Sequence, residues 1–184
     1  MTVLTIRAAA PADLEELAEL AAETFPLACP PGATAADIAA YLAAELTPER
    51  FAAHLADPAR AVLLAADERG RLIGWSMLVG GEPGDADAAA VVAARPTIEL
   101  SKFYTHADAH GHGVAAELMT ASLEVAAAGG AASVWLGVNA ENARAIRFYE
   151  KQGFARVGTK RFRLGDRLEH DLVLERAFAA PAGA

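Results

Sequence analysis

Residues 138–154 read VNAENARAIRFYEKQGF. Val138-Asn139 closes an apolar run, and Ala140–Gln152 reads as a helix stopped by Gly153. Phe148 and Tyr149 are adjacent on that helix, so they project in different directions and one can pack while the other reaches a site. Working outward, ASVWLGV (132–138) is a buried strand. FARVGTKRFRL (154–164) and LEHDLVLE (168–175) form a final pair of strands.

Further upstream, TIELSKFYT (97–105) alternates as a strand, with Ile98, Leu100, Lys102 and Tyr104 on one face and Glu99, Ser101, Phe103 and Thr105 on the other. Both faces carry mixed chemistry, so this strand does more than pack. HGHGVAAELM (110–119) follows, opening a helix from Gly111 to Ala128 that stops at Gly129-Gly130. A strand that feeds a glycine turn into a helix N-terminus offers unpaired N–H groups and the positive dipole end to an anion. A tight turn that binds nothing reads equally well from the loop alone. A nucleoside triphosphate loop needs Gly-Lys-Ser/Thr, and no lysine follows these glycines. Gly111-x-Gly113-x-x-Ala116 formally fits a dinucleotide loop, but the next strand ends at Val138-Asn139 without the acid that such a site requires.

The first half alternates strand and helix signals. Thr2–Arg7 is a strand, Pro11 opens a helix carrying Leu14, Leu17, Leu20 and Ala21 on one face, and FPLACPPG (25–32) breaks it. Thr34 with Asp37 forms a capping box, and Thr47-Pro48 opens a third helix. AVLLAAD (61–67) and RLIGWSMLVG (71–80) make a hairpin. GEPGDADAAAVVAARP (81–96) reads as a mobile loop. This order indicates an α/β (α+β) fold with a single mixed, mostly antiparallel sheet of about seven strands flanked by helices, in one domain over 1–178 with a flexible tail at 179–184. The net charge of −8 argues against nucleic acid, and no run reaches the ~20 apolar residues of a membrane span. The single Cys29 suits a reducing cytoplasm and reads as structural.

With both motif stretches in view, the chain resembles the GNAT family of acetyl-CoA-dependent N-acetyltransferases over nearly its whole length. That family's pyrophosphate motif, Gln/Arg-x-x-Gly-x-Gly/Ala, is met by HADAHGHGVA (106–115), and its second motif by Asn139, Asn142, Ala145, Tyr149, Gly153 and Phe154. His110 stands where the family usually has Arg or Gln, and Ala107 where it often has Pro. The resemblance implies the GNAT acyl-CoA acyltransferase fold with acetyl-CoA as co-substrate and no metal; His106, His110 and His112 lack a zinc spacing. The pantetheine arm would lie beside Phe103, Tyr104 and Thr105, and the pyrophosphate on His110, Gly111, His112, Gly113, Val114 and Ala115. Asn139 and Asn142 would meet the pantetheine amides, with Asn142 also read as a helix cap; Lys151 is a candidate for the adenosine 3′-phosphate or a solvated lysine.

By the same resemblance Tyr149 is the group that receives the departing thiolate. Glu99 is the candidate general base, against its reading as a solvent-facing strand glutamate. Asp37, Glu45 and Glu49 lie on the helices that cover the acceptor side and are candidates for a second cationic group. The stretches IELSKFYTHADAHG, WLGVNAENARAIRFYEKQGF and VGTKRFRLGDRLEHDLVLE resemble bacterial PaiA-type polyamine acetyltransferases, which points to a small-molecule amine such as spermidine or spermine. The acidic balance suits a polycation. Many relatives dimerise, so a homodimer is a candidate assembly that the sequence itself does not argue for; neither nucleic acid nor membrane is expected as a partner. A non-catalytic acyl-CoA-binding regulatory module, a protein N-terminal or lysine acetyltransferase, and a dinucleotide-binding oxidoreductase are the alternatives.

Overall fold

The computed structural model describes residues 4–109, 111–164 and 167–179; His110 and the tail residues from 180 on lie outside them. The first half runs β1 (Thr5–Ala8), α1 (Leu14–Thr24), α2 (Ala35–Glu45), α3 (Pro48–Ala56), β2 (Arg60–Ala66) and β3 (Leu72–Gly80). The second half runs α4 (Ala86–Val91), β4 (Thr97–Thr105), α5 (Val114–Ala128), β5 (Ser133–Asn139), α6 (Ala143–Lys151), β6 (Ala155–Leu164) and β7 (Arg167–Ala177). The strands form one sheet in the order β1-β2-β3-β4-β5-β7-β6, antiparallel everywhere except between β4 and β5.

Local chemistry sets most boundaries. The Thr34 side chain accepts from the Asp37 amide at 3.1 Å while Asp37 reaches back to Thr34, closing the expected capping box on α2. Thr47 caps α3 through the Arg50 amide, with Pro48 at the first position. The stretch expected as a mobile loop at 81–96 is partly helical instead. Asp85 accepts from the Ala88 amide at 2.9 Å and starts α4, whose Ala88 packs with Val92, Trp135 and Val173. Burial of that alanine face outweighs the glycine and proline signals around it.

Helices α1–α4 cover one face of the sheet and α5 and α6 the other. On the first face Leu17, Leu20, Phe25 and Phe51 pack on Val62, Leu64, Trp75 and Met77. On the second, Met119, Leu123 and Tyr149 pack on Leu78, Leu100, Leu136 and Leu174.

Two irregularities in β4 shape everything that follows. Pairing with β3 is regular from Thr105 to Lys102, opposite Gly74 to Met77, but Leu78 then pairs with Leu100, so Ser101 is an unpaired bulge residue. The expected alternation therefore fails at Ser101. Glu99, Lys102 and Tyr104 lie opposite Val79, Met77 and Trp75 on the α1–α3 face, while Leu100 and Phe103 lie on the α5–α6 face. Secondly, β4 pairs with β5 only over Thr97–Glu99 and Ser133–Trp135; from Leu100 onward the two strands diverge.

Removing the bulge tests its role. Ser101→Ala should leave stability within about 1 kcal/mol in urea unfolding. Deletion of Ser101 forces one half of β4 onto the wrong face, driving Lys102 or Glu99 into an apolar layer, and should cost more than about 3 kcal/mol. A deletion variant as stable as the wild type would show that the strand does not need the extra residue.

Candidate active site

Beyond Thr105 the chain makes a 3-10 turn at Ala107–Ala109 and enters α5 through Gly111 and Gly113, with φ of 83° and 82°. Both values lie in the left-handed region that favours glycine. A Cβ on either residue would meet nothing within 4 Å, so backbone conformation and not crowding demands glycine here, and the space in front of the loop is open. Gly113 caps α5 without a side chain, which leaves the first-turn amides from Val114 onward without intrahelical acceptors. Donors and dipole together make an anion seat.

A cavity of about 550 Å³ opens over this seat. Of the predicted coenzyme residues, Phe103, Tyr104, Thr105, Gly111, Gly113, Ala115 and Asn142 line it. Val114 is turned into the core beside Leu118, and His112 is exposed outside the lining. His110 lies outside the described residues. Lys151 ends α6, exposed and outside the lining; among the described residues the cation that lines the cavity is Arg144, which sequence reasoning missed. A signal was present: Arg144 sits in the first turn of α6, where the helix dipole disfavours a cation unless an anion is near. His106 is tied to its neighbours, with Nε2 3.4 Å from Glu23 and Nδ1 accepting from the Asp108 amide at 3.2 Å.

The two asparagines hold the β5–α6 turn. Asn139 Oδ1 accepts from the Glu141 amide at 2.9 Å, and Asn142 Oδ1 caps α6 by accepting from the Ala145 amide at 3.1 Å. Both carbonyl ends are thereby engaged; Asn142 lines the cavity, and Asn139 does not. Tyr149 stands in an aromatic cluster, its ring 5.5 Å from Phe148, 5.9 Å from Phe154 and 6.2 Å from Phe103. Burial pushes its phenol far above the ordinary value, so it stays protonated and able to donate.

A second cavity, about 230 Å³, lies on the α1–α3 face. Its floor comes from one face of four strands: Glu99 and Lys102 on β4, Gly137 and Asn139 on β5, Asp171 on β7, Lys160 and Phe162 on β6. Phe25 and Tyr41 stack at 4.4 Å above it. Burial raises the Glu99 and Asp171 carboxyls, opposed by Lys102 and Lys160 for the first and by Lys160 for the second. Burial lowers Lys102.

Lys102, Lys160, Asp171 and Tyr41 were not among the predicted residues. They lie far apart in sequence: Tyr41 is on α2, and the other three are charges on three separate strands. Asp37, Glu45 and Glu49 do not line the cavity: Asp37 closes its own capping box, and Glu45 pairs with Arg50 at 3.7 Å. Cys29 does line it, with burial pushing the thiol up to about 11, far from a thiolate at neutral pH. The two cavities share Ala28, Phe103, Tyr104, Asn142, Ala145 and Tyr149, so they meet where β4 and β5 part.

Comparison with known proteins agrees with this geometry. The model of the acetyltransferase (GNAT) family matches residues 14–154. Uncharacterized N-acetyltransferases of Mycobacterium tuberculosis and Mycobacterium bovis are each 47% identical over 164 residues, 89% of this chain and 97% of theirs. Among solved structures, the PaiA N-acetyltransferase of Thermoplasma acidophilum in complex with coenzyme A superposes with a TM-score of 0.75 at 19% identity, covering 96% of this chain and 99% of that one. The ribosomal-protein-S18-alanine N-acetyltransferase of Escherichia coli gives 0.68 at 17% identity, with 99% of both chains covered. At such identities the likeness is one of fold.

The glycine geometry makes its own prediction. Gly113→Ala should lose about 1–2 kcal/mol in urea unfolding from left-handed backbone strain alone. Ala115→Gly, which keeps the loop conformation, should show a helix-propensity loss of no more than about 1 kcal/mol.

Proposed function

The chain belongs to the acetyltransferase (GNAT) family and is an acetyl-CoA-dependent N-acetyltransferase, and from that premise we propose that it acetylates the primary amine of a small molecule by direct attack in a ternary complex. One observation carries the reading: two cavities enter the β4–β5 opening separately and share Tyr149, Tyr104 and Asn142. A coenzyme in one and an amine in the other would meet at that junction without a covalent enzyme intermediate.

The first cavity suits acetyl-CoA. The anion seat at the start of α5 would take the pyrophosphate, with Arg144 adding charge from the facing wall. Beyond Glu99, β4 has lost β5 as a partner, and the pantetheine amides would pair with its free edge as an added strand. The amide group of Asn142, which lines both cavities, would hold that arm from the other side, and Asn139, which lines only the second, would meet it at the junction.

The second cavity would supply the acceptor and its deprotonation. An alkylammonium of pKa ~10.4 is neutral in only about one molecule in 2,500 at pH 7, a cost of ~4.6 kcal/mol. Glu99 is the base, directly or through a water, and its raised pKa brings it closer to the amine's own. Attack on the thioester leaves a thiolate, which Tyr149 stabilises by donating a hydrogen bond. A coenzyme thiol near ~8.5 is a stronger acid than this buried phenol, so the proton stays mainly on the tyrosine.

Initial rates of thiol release from acetyl-CoA with a panel of primary amines test the assignment. Tyr149→Phe should lower kcat by roughly 10²–10³-fold, the loss of one preorganised donor, with acetyl-CoA affinity kept. Glu99→Gln should lower kcat/KM for the amine by roughly 10²–10⁴-fold. The acid limb reports the ionised base, so a raised Glu99 pKa moves that limb above the ~4.3 of an exposed glutamate. The limb should disappear in Glu99→Gln; its survival would assign the base elsewhere.

A further inference from the structure

The floor of the second cavity carries charges of both signs that do not pair with one another. Among the described residues, Glu99, Lys102, Lys160 and Asp171 all lack an opposite charge within 4.0 Å. The Lys102 ammonium reaches only the carbonyl and hydroxyl of Ser101, at 3.3 and 3.4 Å. Lys160 Nζ sits 5.8 Å over the Phe162 ring. Asp171 is 8% exposed. Glu99, Lys102 and Lys160 are partly buried, and charges drawn part-way out of water are costly unless something pairs with them.

The arrangement is specific. A Cβ at Gly137 would collide with Lys160 Cε and lie 3.3 Å from Asp171 Oδ2, so glycine on β5 leaves the room in which the lysine and the carboxylate lie side by side. Burial shifts Glu99 and Asp171 up and Lys102 down, the directions expected of charges without direct partners. Glu45, Arg60 and Asp85 add weaker fields from outside the lining.

Resting on the acetyltransferase reading above, we propose that the acceptor is a zwitterion, a small primary amine that also carries a carboxylate or phosphonate. Its amine faces Glu99 at the junction, and Lys160, assisted by Lys102, binds its anionic group. Two acids and two lysines leave the floor without net charge, a balance that a zwitterion keeps, whereas a simple alkylammonium would add one positive charge and a polyamine several. The volume of about 230 Å³ lies below the roughly 300–1,000 Å³ of pockets for drug-sized ligands, which suits an acceptor of amino-acid size. The stacked Phe25 and Tyr41 would cover its apolar part.

The test uses paired amines with and without the anionic group, their rates compared per neutral amine: amino acids against their amides, β-alanine against β-alaninamide, 2-aminoethylphosphonate against ethylamine, with spermidine beside them. Acetyl-CoA binding is measured in parallel by calorimetry. The expected result is a kcat/KM at least tenfold higher for the anionic member of the best pair, a ratio that collapses towards one in Lys160→Met and survives in Lys160→Arg. Melting curves of both variants confirm that they are folded. A preference for spermidine or for the amides would overturn the proposal, as would a ratio unchanged in folded Lys160→Met. Acetyl-CoA binding with no turnover of any zwitterion would also overturn it while leaving the coenzyme site standing. Failure to bind acetyl-CoA would bring down the acetyltransferase reading and the proposal with it.

Discussion

A strand that pairs residue for residue with its neighbour must alternate its faces without a break. Under that rule β4 would carry Glu99 with Phe103, and Leu100 with Lys102. The unpaired residue at Ser101 lifts the restriction. It keeps Leu100 and Phe103 together in the layer under α5 and α6, and brings Glu99, Lys102 and Tyr104 together on the other face. It also sits just past Glu99, the last residue of β4 paired to β5, so the change of register and the opening of the sheet coincide. Cavity, charges and free strand edge all follow from that coincidence.

The opening would be a liability in a protein without a ligand. Backbone groups along a strand that has lost its partner are costly when buried and sticky when exposed. Here the gap is walled by aromatic contacts, with Phe103 packed on Phe148 at 5.7 Å and Tyr104 on Trp75 at 5.2 Å. These rings hold the two sides of the cleft in place from within the two core layers. The strands can therefore stay apart without collapsing onto each other, and a ligand that paired with the edge would complete the sheet.

The electrostatics divide along the same line. Around the first cavity the fixed positive ends are a helix N-terminus and Arg144. The second holds acids and lysines in equal number, set on strands and kept apart by backbone spacing. Tyr149 belongs to both cavities, and its burial makes it a donor at any working pH. One side thus suits a large anion and the other a small ligand of mixed charge, and under the proposed function the reaction would take place between them.

Much of this was legible in the sequence, and what was legible was local. The Thr34–Asp37 box, the Thr47-Pro48 start, the glycine turn into α5 and the Asn142 cap each depend on residues within about four positions, and all appear in the structure. The two motifs around Gly111 and Asn139 also carried the family. The structure alone decided the faces of β4, because a bulge is defined by pairing with β3 and not by its own residues. It alone revealed α4, whose alanine face is stable only against Trp135 and Val173. Lys102, Lys160 and Asp171 likewise look like ordinary surface charges until three strands bring them to one floor. Capping and turn chemistry act over a few bonds and can be read along the chain, whereas the meeting of distant side chains depends on strand register, which is settled only when the whole sheet is assembled.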